Sequence, residues 1–132
     1  MPAEDPRFTE GMAALERVLG AEYAARARRS AADPFVAPFT ELATAFVWGG
    51  PWCRAGLDPR TRSLLTLAML IALGHPEEVR LHVGGALANG ATRDELREVV
   101  IHALPYCGAP AALAGLKAVV AALREAEGAG AG

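Results

Sequence analysis

The feature that most constrains this chain is the way proline, glycine and capping residues cut its apolar stretches into helix-sized pieces. In the second half, Asp58 is an N-cap and Pro59 a first helical residue for a segment running to Leu73, where Gly74 stops it. That segment is apolar nearly all round and reads as a central buried helix. Pro76 opens the next helix, with Glu77 and Glu78 in its first turn, and Asn89-Gly90 closes it. Thr92-Arg93-Asp94-Glu95 is a capping box for a third, whose Leu96, Val99, Val100 and Ala103 face inward and whose end Pro105 should kink. Gly108 and Pro110 introduce a last helix from Ala111 to about Arg124.

The first half follows the same grammar. Phe8, Met12, Leu15 and Leu19 form a stripe closed by Gly20, and an Ala-rich segment continues to about Ala32 before Asp33-Pro34 breaks it. Pro38 opens a helix with Phe39, Leu42 and Phe46 on its apolar face. Gly49-Gly50-Pro51 ends it in a turn that carries both tryptophans, Trp48 and Trp52. No alternating strand pattern competes. The expected fold is all-α, a compact multi-helix domain of about seven helices.

Length and charge narrow the function classes. A chain of 132 residues is expected to form one domain over 1–132, with 1–7 and 125–132 fraying. A net charge of −2 and a pI near 5.9 leave no electrostatic footprint for nucleic acid. The basic cluster Arg26, Arg28 and Arg29 reads as a solvated helix face. The polar, acidic start from Met1 to Pro6 does not look like a signal peptide, and the apolar run Leu64 to Leu73 is half the length of a membrane span. A soluble, cytoplasmic protein without membrane partners is expected. Cys53 and Cys107, far apart in sequence, fit reduced thiols better than a disulfide framework.

One titratable residue falls on an apolar face. From Val79, the positions Val79, Val83, Ala86 and Leu87 recur at i, i+4, i+7 and i+8, and His82 at i+3 lies inside that stripe. Burial favours the neutral imidazole, and Glu78 one turn earlier favours the charged one. Together they are expected to hold a proton donor near neutral pH. The alternative is a core histidine with one satisfied hydrogen bond.

The motifs Gly56-Leu57-Asp58-Pro59-Arg60-Thr61-Arg62-Ser63-Leu64, Ala68-Met69-Leu70, Leu81-His82, Ala86-Leu87-Ala88-Asn89-Gly90-Ala91-Thr92, Glu95-Leu96-Arg97-Glu98-Val99 and Tyr106-Cys107-Gly108-Ala109-Pro110-Ala111-Ala112 resemble the carboxymuconolactone decarboxylase family. Gly11-Met12, Val18-Leu19-Gly20 and Phe39-Thr40-Glu41-Leu42 resemble the N-terminal half of its lactone decarboxylases. The resemblance implies a small helical subunit assembled into trimers or hexamers. It also implies a cofactor-free decarboxylation of a carboxylated muconolactone to an enol-lactone in aromatic catabolism. A second branch, the peroxidase-like disulfide reductases, has a CxxCxxxH motif ending at the same histidine. The cysteines would stand at positions 75 and 78, which are His75 and Glu78 here, so a dithiol mechanism is disfavoured.

Two positions depart from the lactone decarboxylases. Trp48-Gly49-Gly50-Pro51-Trp52 has Gly50 where they resemble an acid, and Pro110-Ala111-Ala112-Leu113 has Leu113 where they carry an amide. A less polar pocket and a different, more apolar substrate follow, such as a carboxylated lactone, a β-keto acid or a natural-product intermediate. His82 is the expected acid or base, oriented by Glu78; Trp48, Trp52 and Tyr106 are candidate walls, with the Tyr106 hydroxyl aimed at an oxyanion. Arg62 could anchor a carboxylate, although an ion pair with Glu95 or Glu98 explains it as well. Glu98, His102 and Tyr106 make a second polar stripe that could bind a metal with His82, but no complete ligand set is visible, and none is expected. Cys107 is a buried small residue or a nucleophile. Three classes stay open: a cofactor-free lyase, a thiol-dependent peroxidase or disulfide reductase, and a non-catalytic ligand-binding oligomer. Amphipathic stripes on so many helices point to a homo-oligomer.

Overall fold

The computed structural model describes residues 5–131. Among them are seven α-helices, one π-helix, one 3₁₀ turn and no strand, as expected for an all-α chain. Contacts gather into two compact units, Met1–Asp58 and Pro59–Gly132, a division that length alone could not show.

In the first unit, α1 (Pro6–Leu19) starts where the Asp5 carboxylate accepts the Arg7 N–H at 2.9 Å and Pro6 occupies the first helical position. Helices α2 (Ala21–Ala31) and α3 (Ala37–Ala43) follow. The chain then widens into a π-helix, Thr44–Trp48, sealed by the Gly49 N–H donating to the Thr44 carbonyl at 2.9 Å. Met12, Leu15 and Ala24 form the core, with Phe8, Leu19, Tyr23 and Trp48 packed against it. The π-helix lies directly on α1. A Cβ on Gly11 would collide with the Thr44 carbonyl oxygen, and one on Gly49 with the carbonyl oxygen of Arg7. Only residues without a side chain permit this backbone approach.

That approach corrects the reading of the third helix. Its anticipated inner face points outward: Phe39, Leu42 and Phe46 are 76%, 70% and 73% exposed, while Thr44 and Ala45 are buried. The π-helix breaks the 3.6-residue rhythm, so the stripe that looked inward in sequence is not the face set against α1.

The second unit is built from α4 (Pro59–Leu73), α5 (Pro76–Ala88), α6 (Arg93–Cys107) and α7 (Ala109–Ala131). Leu67, Ile71, Val79, Val83 and Leu96 are all at most 2% exposed at its centre. Each such side chain contributes about 1.5–3 kcal/mol through burial. The capping box forms: the Thr92 hydroxyl accepts the Glu95 N–H at 3.1 Å, and the Glu95 carboxylate accepts the Thr92 N–H at 2.9 Å. The buried Ser63 hydroxyl accepts from the Asn89 side-chain amide at 3.0 Å, tying α4 to the end of α5.

Two expectations change here. Helix α4 is not buried all round, because Leu65, Met69 and Leu73 are 42%, 60% and 69% exposed on the side away from its packed neighbours. Helix α6 runs through Pro105 to Cys107. Helix α7 begins at Ala109 and runs to Ala131, where alanine and glutamate sustain the helix past the anticipated stop at Arg124. Of the stretches expected to fray, residues 1–4 and 132 lie outside the described residues, and Pro6 and Arg7 already belong to α1.

Candidate active site

His82 is held on α5 by local signals: Pro76 in the first turn with Glu77 and Glu78, and a cap at Asn89. Val79, Val83 and Ala86 on the same face are fully buried, and His82 is 8% exposed. Burial pushes its imidazole down to about 4. The ring is therefore neutral at pH 7, able to accept a proton, and the expectation of a proton donor near neutrality is corrected. Glu78 does not supply the opposing influence, because it stands exposed in the first turn, where water screens its charge.

A second feature of this unit is a groove of about 780 Å³ between α4 and α6. Leu64, Leu65 and Ala68 form one wall and Val99, Ala103 and Pro105 the other. Glu98, His102 and Tyr106 recur at i, i+4 and i+8 along α6 and reach the same space, as does half-buried Cys107. The His102 and Tyr106 rings lie 5.4 Å apart, tilted by 41°. Tyr106 is 79% exposed.

The anticipated site residues thus fall in separate places. Tyr106 and Cys107 share the groove. His82, Glu78, Arg62 and Leu113 are not among its lining residues, and Leu113 is 52% exposed on α7. Glu95 pairs with Arg60, and Glu98 lies 3.5 Å from Arg97. Trp48 and Trp52 belong to the first unit, their rings stacked at 5.2 Å and 23°. Cys53, also there, donates to the Trp48 carbonyl at 3.2 Å. Among the described residues no three His, Cys, Asp or Glu side chains gather as a metal site would require, so the Glu98 and His102 stripe is not completed by His82.

Sequence reasoning missed a cavity of about 310 Å³ in the first unit, lined by α2, α3 and the π-helix. Tyr23 and Arg26 stand at i, i+3 on α2, and the Arg26 guanidinium carbon sits 5.4 Å from the Tyr23 ring centroid. That spacing was the available signal. It also separates Arg26 from the cluster read as one solvated face, in which Arg28 lies 3.6 Å from Glu16.

Comparison with known proteins adds three findings. The chain matches the carboxymuconolactone decarboxylase family over residues 36–121. It is 46% identical over 106 residues to the nitrosuccinic acid decarboxylase npaB of Metarhizium robertsii, covering 80% of this chain and 73% of that one. It is 37% identical over 113 residues to the 4-carboxymuconolactone decarboxylase of Acinetobacter baylyi, covering 86% and 84%.

Proposed function

Since the chain belongs to the carboxymuconolactone decarboxylase family, we propose that it is a cofactor-independent decarboxylase, a carbon–carbon lyase acting on a small electron-poor carboxylic acid. The observation that carries this reading is that two relatives of different substrate, each aligned with at least four-fifths of the chain, are both named decarboxylases. Their names have one chemistry in common. Loss of carbon dioxide leaves an electron pair on carbon, and both a nitro group and an unsaturated lactone can absorb it. The same relatives support decarboxylation over a thiol mechanism, for which positions 75 and 78 carry no cysteine.

The loss of an acid at Gly50 and an amide at Leu113 supports a substrate less polar than carboxymuconolactone. His82 is our candidate for the proton-transfer group. Burial keeps its ring neutral at pH 7, and a substrate carboxylate brought beside it would favour the imidazolium. The carboxyl carbon bond then breaks, the electron pair passes to the sink, and the imidazolium returns its proton to carbon. Such a group is worth roughly 10²- to 10⁴-fold. Tyr106, in the groove of the second unit, is our candidate for substrate contact. No helix among the described residues is long and apolar enough to cross a membrane. A cytoplasmic homo-oligomer, trimer or hexamer, completes the proposal.

The test is carbon dioxide release from nitrosuccinic acid and from 4-carboxymuconolactone. Turnover of at least one is expected, reduced by about 10²-fold or more in His82→Gln and retained in Cys107→Ser. Release from neither overturns the substrate class. Equal rates in His82→Gln remove His82 from the mechanism.

A further inference from the structure

The cavity of the first unit has the composition of an anion site. Arg26 is held over Tyr23, which limits the positions its guanidinium must search before meeting a ligand. Among the described residues no carboxylate pairs with it, and none of the lining residues is acidic. Ser30, Thr40 and Thr44 add hydroxyls to the lining, Thr44 being only 3% exposed. Tyr23, Phe39 and Trp48 supply aromatic surface to the same cavity. A volume of about 310 Å³ suits a small organic molecule.

We infer that this cavity binds a small planar carboxylate, its anionic end on Arg26 and the hydroxyls, its unsaturated or aromatic body between Trp48 and Tyr23. A guanidinium pairs with a carboxylate through two parallel hydrogen bonds, and flat apolar walls select a flat apolar body. One feature of the chain supports a built site. The π-helix brings Thr44 and Trp48 to the cavity, and such helices concentrate where function repays their poorer geometry. The inference is independent of decarboxylation, because binding is read without turnover.

Benzoate is the probe, followed by calorimetry and by the fluorescence of the chain's two tryptophans, Trp48 and Trp52. Saturable binding with quenching is expected. Arg26→Gln should weaken it by about tenfold or more, as loss of a charge-assisted contact does, and Thr44→Val should weaken it less. Arg26 is exposed, so the variant is expected to keep the wild-type circular dichroism. Benzamide, flat but uncharged, and inorganic phosphate, charged but bodiless, should both bind far more weakly. The inference fails if benzoate does not bind, if Arg26→Gln binds it as the wild type does, or if either control matches benzoate.

Discussion

Protonation of His82 links the burial of one ring to the acid stability of the whole chain. Its folded value of about 4 lies below the ordinary 6.5, so the unfolded chain takes up a proton that the folded one refuses. Stability is unaffected above about pH 6.5, falls as pH drops from there, and levels off below about 4; the full loss is about 3 kcal/mol. Urea midpoints measured from pH 7 to pH 4 should show this decline in the wild type and a flatter profile in His82→Leu. Identical slopes would assign the acid sensitivity to other groups. The face on which His82 lies was legible in sequence, because its neighbours at helical spacing are apolar. The direction of its shift was not, since a carboxylate one turn away counts only when both groups share a dry environment, and Glu78 does not.

Helix boundaries were legible wherever the signal is local. Asp58-Pro59, Pro76 and the Thr92 box sit within a few residues of the ends they set, and α4, α5 and α6 begin there. What escaped depends on contacts between residues distant in sequence. The outward face of Phe39, Leu42 and Phe46 follows from α1 pressing its backbone at Gly11 onto Thr44, and the groove follows from the pairing of α4 with α6. Gly11→Ala tests the first of these. Its new methyl group meets a carbonyl oxygen that belongs to backbone and cannot swing aside, so a loss of about 1–3 kcal/mol is expected, read as a lowered Tm. A Tm equal to the wild type would mean that the π-helix is not seated on α1 as described.

The second unit leaves much apolar surface uncovered: Leu65, Met69 and Leu73 on α4, Ile101 and Leu104 on α6, all more than 40% exposed. Such a quantity is rare on a chain that works alone. Light scattering should give a mass above that of one chain, and Met69→Glu with Leu73→Glu should lower it; a monomeric wild type would contradict the assembly. The passage from one unit to the other, Arg54 to Asp58, is solvent-exposed along its length and free of helix, and Gly56 has open space where a side chain would grow. A foreign peptide or dye-bearing residue grafted at that seam would leave both hydrophobic clusters untouched, giving experimenters a handle by which each half could be tracked, tethered or traded for its counterpart from a relative.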